Sequence, residues 1–405
     1  MTMTGNDTTD SGETVLLDWS SDFDLFHTSY LEQPEKVWSQ LRDSAPVAHS
    51  ERWGGAWMPV RYDDISAVAH DTTHFSSRDV GVTGSNGATL LVAPPITSDP
   101  PFHQDARRLL LPAFGPKAIE RLGFITQGFA DELIDTFIEA GSADAAVDYA
   151  QRIPARVIGL MLGIPRSDED RFTDWAVRVL QVGPTDHTVL REATREVLAY
   201  FGAIIEERRA NPGEYQDLIT DLMEAEIGGA PLTDKHILGT CFLLLLAGMD
   251  TTWSSIGSSI WHLATHPEDR ARLVAEPDLI PTAVEELLRV YSPVTMARVA
   301  IAETTVGGRT VMPGERVLLA FPAGNRDPEH FDRPEEIILD RQHNRHASFG
   351  LGIHRCLGSN LARMELRIAI SAWLKRIPEF TLAPDAKVIW TGGQVRGPRT
   401  IPVVF

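Results

Sequence analysis

The sequence predicts a large, mainly helical domain with a small β portion. Three observations carry that prediction. Helical periodicity recurs along most of the 405 residues, the short strand patterns sit beside Pro/Gly turns, and the alternating strand–helix rhythm of a parallel sheet is missing. The composition, 43% apolar and 23% charged, offers material for a large core. Lys and Arg total 37 against 56 Asp and Glu, a net charge of −19, which argues against nucleic-acid and anionic-membrane partners because both need a basic face. Two cysteines exclude a disulfide framework, a four-thiolate zinc site and an ordinary four-cysteine iron–sulfur cluster. One functional thiolate remains open.

In chain order, residues 1–14 are predicted disordered and 15–405 form a single domain, although length alone would suggest two or three. Asp7, Asp10, Glu13, Asp18, Asp22 and Asp24 precede any Lys or Arg, the opposite of a signal peptide. An early strand is predicted around Ala56–Val60. Residues 79–97 read as an irregular loop broken by Gly, Asn and Pro94-Pro95. Amphipathic helical patterns run from Asp99 to Glu224. The longest periodic segment, Thr233 to His266, is closed by Pro267 and would reach about 50 Å. Its apolar run, Cys241 to Met249, is far shorter than the roughly 20 residues of a spanning helix, so a cytoplasmic location is expected. Two short strands should flank the Met312-Pro313-Gly314-Glu315 turn.

The strongest chemical signal is Phe349-Gly350-Leu351-Gly352-Ile353-His354-Arg355-Cys356-Leu357-Gly358. Its glycines allow a tight loop, and a helix is predicted from Leu361 to about Trp373. A thiolate ahead of a helix N-terminus faces unpaired N–H groups and the positive end of the dipole, an environment for an anionic metal ligand. A phosphate-binding loop is disfavoured, since Arg355 stands where the third glycine is needed and no Gly-Lys-Ser/Thr follows.

This decapeptide resembles the haem-binding loop of cytochrome P450 monooxygenases, with every defined position matched. Glu286-Leu287-Leu288-Arg289 resembles the family's E-x-x-R, and Ala247-Gly248-Met249-Asp250-Thr251-Thr252 its oxygen-activation motif. His103 and Arg107, in DPPFHQDARRLL, resemble the helix beside the haem propionates. The likeness runs from about Asp24 to Phe405 and implies the triangular, α-rich cytochrome P450 fold with haem b as cofactor. Within the family the run from Ala247 onward, with PVTMAR, looks most like the haem portions of self-sufficient, reductase-fused enzymes.

The resemblance assigns Cys356 as axial ligand of the iron, where a thiolate favours O–O cleavage. Phe349 would pack on the thiolate side and Gly358 would let the backbone approach the sulfur. His354, Arg298, His103 and Arg107 would meet the two propionates, while Met296 stands where some relatives carry an acid. Glu286 and Arg289 would form a buried structural pair with a third member, Arg333 or Arg341. Ala247 would lie over the haem. Asp250 would relay protons and the Thr251 hydroxyl would direct them to the dioxygen-derived acceptor. Thr251 bonding back to the Ala247 carbonyl, together with Gly248, suggests a locally opened helix. Cys241 reads as core, and His262 with His266 as helix-end residues rather than a metal site.

Carried over by position, the substrate pocket comprises Leu90, Leu91, Val92, Leu243, Leu246, Ala247, Val294, Gln394 and Val395. Nearly all are apolar, which implies a small-to-medium lipophilic substrate, aromatic by the reductase-fused likeness, hydroxylated or O-dealkylated with dioxygen. Electrons would come from a separate ferredoxin or flavodoxin and its NAD(P)H reductase. Arg341 to Met364 lacks Asp and Glu but carries Arg341, Arg345, Arg355 and Arg363, a basic island suited to an acidic donor. A peroxide-driven peroxygenase or a haem-thiolate gas sensor are the alternatives, and neither needs the Asp250–Thr251 pair.

Overall fold

The computed structural model describes residues 18–84 and 91–405. The elements that build the site are α1 (Thr28–Glu32), α2 (Phe102–Leu110), α3 (Pro116–Asp135), α4 (Arg152–Met161), α5 (Glu169–Val177), α6 (His187–Ala210), α7 (Asp234–Thr265), α8 (Ile280–Val290) and α9 (Ser359–Arg376). Residues 1–14, expected to be disordered, and Leu90 lie outside the described residues.

Helix α7 is the axis of the fold. Its start is set by Thr233, whose hydroxyl accepts from the His236 N–H, and Pro267 closes the pattern after His266. Apolar or small residues occupy nearly its whole circumference, because α4, α6, α8 and α9 all pack around it. It is long and apolar enough to cross a membrane by composition, yet two thirds of its most apolar stretch is buried inside the protein. One core cluster joins Trp253, Ile256 and Ile260 of α7 to Trp373 of α9 and Tyr149. Here the Tyr149 hydroxyl donates to the Ala369 carbonyl at 2.8 Å, which satisfies the polar tip of a fully buried ring. A second cluster joins Cys241, Leu245, Leu246 and Met249 to Leu110, Phe172, Trp175 and Phe201.

The β portion is small, as the sequence suggests. Strands β1 (Val47–Ser50), β2 (Ala56–Pro59), β3 (Phe75–Ser76), β4 (Met296–Ala300) and β5 (Arg316–Leu319) form one sheet in the order β1-β2-β5-β4-β3. Only the β2–β5 pair is parallel, and the antiparallel β5–β4 register sets Val317 opposite Arg298. The Met312–Glu315 turn, with Gly314 at φ +92°, leads into β5 but joins two different sheets, since the preceding Arg309–Val311 pairs with Thr304–Val306. A two-stranded ribbon, β6 (Ile389–Thr391) with β7 (Gly397–Thr400), lies against α7. Helix α7 is continuous through Ala247–Thr252, so the expected local opening is absent. The Thr251 hydroxyl adds a bond to the Ala247 carbonyl without displacing the ladder, and Gly248 makes room for Ile158 instead, whose Cδ1 would be 3.1 Å from an added Cβ.

Candidate active site

The cysteine loop is shaped by two glycines that cannot be exchanged. Gly350 and Gly352 have φ of +71° and +68°, and a Cβ on Gly352 would lie 2.2 Å from the Ala69 carbonyl oxygen. The loop then closes with the Cys356 N–H donating to the Phe349 carbonyl at 2.7 Å. Gly358 is different. A Cβ there would touch Phe114 at 3.6 Å and Cys356 Sγ at 4.0 Å, ordinary contacts, so the protein's own atoms do not demand a glycine. Helix α9 begins at Ser359, directly after Gly358. Burial pushes the Cys356 thiol up, while the Gly358 N–H and then Arg107, Arg355 and Arg363 pull it back. Yet the residue is exposed. A side chain enclosed by protein but open on one side faces an internal cleft rather than bulk water.

The same cleft is signalled from α7. Ala247 is exposed in the middle of this buried helix, and Leu243 and Thr251, one turn to either side, are partly exposed. The spacing i, i+4, i+8 puts the three on one face. Leu246 points elsewhere. It is buried in the core cluster with Leu110 and Phe114, because one position's rotation carries it off that face. The early loop reaches α7 where Gly239 permits: a methyl there would lie 2.0 Å from the Val92 carbonyl oxygen, and the Thr240 hydroxyl donates to the Pro94 carbonyl. Leu91 is partly buried and Val92 exposed. Val294 and Val395 form an antiparallel bridge, and the Gln394 amide donates to the Met296 sulfur at 3.3 Å, which occupies that position in place of an acid.

Three of the four side chains expected to meet the propionates do come together. His103 and His354 have ring centroids 4.3 Å apart, and Arg298 acts electrostatically on both. Among the described residues, both ring nitrogens of His103 and Nε2 of His354 are buried with no partner, and Arg298 donates from Nη1 to the adjacent Ala297 carbonyl. Burial, then Arg298, His103 and Arg107, pushes His354 down to about 2, and burial pushes Arg298 down to about 10, with Asp99 opposing weakly. Such crowding without a neutralising anion is costly unless an anionic ligand completes it. Arg107 departs from the group. Its Nη2 donates to the Arg355 carbonyl at 2.7 Å and so braces the cysteine loop. An exposed sulfur ligand, a cleft floored by Ala247 and orphaned donors for two carboxylates fit haem b, which has one iron and two propionates.

The Glu286–Arg289 pair, itself fully buried, is the centre of a network. Arg289 Nε and Nη2 reach Glu286 at 2.9 and 2.8 Å, and Arg341 Nε donates to both carboxylate oxygens at 3.0 Å. The third member is therefore Arg341. Arg333 is exposed and pairs with Asp332 and Glu336, and only its carbonyl joins the network, accepting from Arg341 Nη2 at 3.2 Å. The basic island also shrinks. Arg341 is spent on Glu286, and Arg363 makes a bidentate pair with Glu285 at 2.7 and 2.8 Å while stacking on Phe349. Of the island's four arginines, Arg345 and Arg355 stay exposed with no ion pair among the described residues, and Arg367, one turn beyond Arg363, is likewise exposed and unpaired. His262, far from forming a metal site with His266, lies between the Tyr291 hydroxyl (3.0 Å) and Asp269 (2.8 Å).

Asp250 is fully buried. Arg399 Nη2 lies 2.9 Å from its Oδ1, off the line of a hydrogen bond, and the Gln181 amide donates to the same oxygen at 3.3 Å. Neither partner is evident from motif spacing. Gln181 is placed by a π-helical turn, Arg178–Val182, after α5. Arg399 had one available signal, a lone charge within the apolar C-terminal run Gly397–Val404.

The comparisons agree with this construction. A family model described as "Cytochrome P450" matches residues 168–388, more than half of the chain. Mycinamicin IV hydroxylase/epoxidase of Micromonospora griseorubida is 34% identical over 91% of this chain and 94% of its own length. Nocardicin C N-oxygenase of Nocardia uniformis is 35% identical over 86% and 89%. The polyketide biosynthesis cytochrome P450 PksS of Bacillus subtilis is 34% identical over 94% and 98%, and its solved structure superposes with a TM-score of 0.86 over 94% of this chain and 99% of that one. These relatives match over most of their own length. They are not haem portions of longer reductase fusions, so the narrower likeness expected from the sequence is replaced by one to standalone enzymes. Motif order, orphaned carboxylate donors, fold and relatives converge: the chain belongs to the cytochrome P450 family and is a haem-thiolate monooxygenase.

Proposed function

We propose that this monooxygenase hydroxylates or epoxidises a small-to-medium lipophilic secondary metabolite, with Cys356 as the ligand to haem iron. The observation that carries the site reading is the buried cluster of His103, His354 and Arg298, whose donors lack an anion. When bound, the haem supplies dioxygen activation and transfer of one oxygen atom to the substrate. His354, His103 and Arg298 hold its propionates, and Arg107 keeps the cysteine loop in register by bonding the Arg355 carbonyl. Phe349 shields the sulfur side and is itself held under Arg363.

Leu243, Ala247, Val294 and Val395, with Leu91 and Val92 at the loop, present apolar surface to the substrate, and Gln394 adds one polar group. Asp250 takes up protons at its free oxygen. The Thr251 hydroxyl, now donating to the Ala247 carbonyl at 2.9 Å, turns to pass them on. The similarity to a mycinamicin IV hydroxylase/epoxidase, a nocardicin C N-oxygenase and a cytochrome P450 of polyketide biosynthesis supports a metabolite of that class more than a simple aromatic. Electrons reach the enzyme from a separate ferredoxin or flavodoxin served by an NAD(P)H reductase, docking by Arg345, Arg355 and Arg367.

The test is spectroscopic. The reduced, CO-bound protein should show the strongly red-shifted Soret band of thiolate ligation, and an imidazole-type band would remove Cys356 from the iron. A screen of macrolides, peptides and terpenoids for substrate-induced shifts of the ferric band then identifies the substrate class. Shifts confined to small aromatics would overturn the metabolite reading.

A further inference from the structure

The acid of α7 takes its partner from the C-terminal ribbon. Strand β7 crosses α7 with almost nothing between the backbones. A methyl on Gly397 would lie 2.4 Å from Ser254 Cβ and Oγ, and one on Gly257 would lie 3.2 Å from Pro398. This small-residue crossing brings Arg399 to Asp250. The guanidinium is fixed on its other edges: Nε donates to Thr391 Oγ1 at 2.8 Å, Nη1 donates to Ser254 Oγ at 3.1 Å, and its face lies 4.3 Å from the Trp253 ring centroid. The other side-chain group that reaches Asp250 among the described residues is the neutral Gln181 amide. Asp250 Oδ1 is thus held twice, whereas Oδ2 is buried with no partner among the described residues.

We propose that Arg399 is a positioning residue for proton delivery, pinning Asp250 through Oδ1 so that Oδ2 alone takes up protons and passes them toward Thr251. The inference rests on the reading of Asp250 as the relay. No electrons move in this step. A proton arrives at Oδ2 from solvent, leaves it toward the Thr251 hydroxyl, and the carboxylate is restored. A carboxylate in this surrounding needs a cation, because burial favours its neutral form. Arg399 is the charged group that opposes burial at Asp250, and Asp250 does the same for Arg399. Without the guanidinium the carboxyl would keep its proton and become a poorer donor.

The test uses the holoenzyme with its electron donors and a substrate that turns over. Asp250→Asn, Arg399→Gln and Arg399→Lys are compared by product formed per electron pair, by solvent deuterium isotope effect and by infrared difference spectra. Arg399→Gln should lower coupled turnover by roughly 10-fold or more, as loss of positioned acid catalysis does. It should also enlarge the isotope effect and show, at neutral pH, a protonated-carboxyl band absent from an Arg399→Gln/Asp250→Asn double variant. Arg399→Lys should recover most of the turnover. A wild-type isotope effect with no such band in Arg399→Gln overturns the inference. Should that variant fail to fold, wild type against Asp250→Asn still decides, since a protonated Asp250 band in wild type at neutral pH overturns it equally. If Asp250→Asn itself turns over like wild type, the relay reading is what fails.

Discussion

Replacing Glu286 by Gln removes one formal charge and almost no volume, and should still be severe. The carboxylate accepts six bonds, three at each oxygen. Arg289 Nη2, the Ile338 N–H and Arg341 Nε meet Oε1, while Arg289 Nε, Arg341 Nε and the Asn344 amide meet Oε2. A glutamine keeps one acceptor oxygen and turns an NH2 group toward donors at the other position, in either orientation. Arg289 cannot leave, because it also donates to the carbonyls of Asn325, Pro334 and Glu336, so a guanidinium with 0% side-chain exposure loses its counter-charge. Breaking a buried pair from one side costs about 3–5 kcal/mol. At about 1.4 kcal/mol per factor of ten, the unfolding equilibrium should shift by roughly two to three and a half orders of magnitude. Urea denaturation followed by circular dichroism, with the CO-difference spectrum as a second probe, measures it. A loss under about 1 kcal/mol, the worth of an exposed pair, would refute the argument that this network is dry and mutually dependent.

Three further outcomes follow from the packing and the charges. Gly397→Val should destabilise by roughly 1–3 kcal/mol through overpacking, with Ser254→Gly in the same chain recovering part of the thermal midpoint. Burial, the largest single influence on Glu285, pushes it up, but His346 and Arg363 together outweigh it and bring it to about 2 from 4.5. Its folded value being the lower, the stabilisation is complete above about 4.5 and is lost as pH falls toward 2, so the urea-midpoint gap between wild type and Glu285→Gln should close across that window. Cys241, fully buried with its thiol pushed up to about 12, should resist alkylation in the native protein and react once unfolded.

Local chemistry made the helices and the glycine-shaped cysteine loop legible in the sequence, whereas the Asp250–Thr251 pairing was read from the family resemblance. Thr233 and Pro267 bracket α7 because capping and ring sterics act within a few residues. What was not legible depends on residues far apart in the chain meeting. The stretch from Arg341 to Met364 looks uniformly basic when read linearly, yet Glu285 and Glu286, more than fifty residues earlier, neutralise Arg363 and Arg341. Choosing between Arg333 and Arg341 required the fold, since only there is it seen that Arg341 reaches Glu286 while Arg333 pairs with its own neighbours. Leu246 and Ala247 are adjacent in sequence, but only the structure shows that the open side of α7 runs through Leu243, Ala247 and Thr251.

The turn bearing Gln394 and Val395 is held from outside any pocket. Gly392 and Gly393 leave no room for a side chain beneath Leu31 and Phe26, with an added Cβ 2.2 and 2.5 Å from those residues, and Arg396 donates to the Leu31 carbonyl at 2.9 and 2.5 Å. Helix α1 and the residues before it therefore act as a mould for a segment more than 360 residues downstream. With the Gln394–Val395 turn lining the pocket as proposed, selectivity should be adjustable from that mould. Engineering confined to side chains in contact with substrate would leave untouched Phe26 and Leu31, the residues against which this turn is packed.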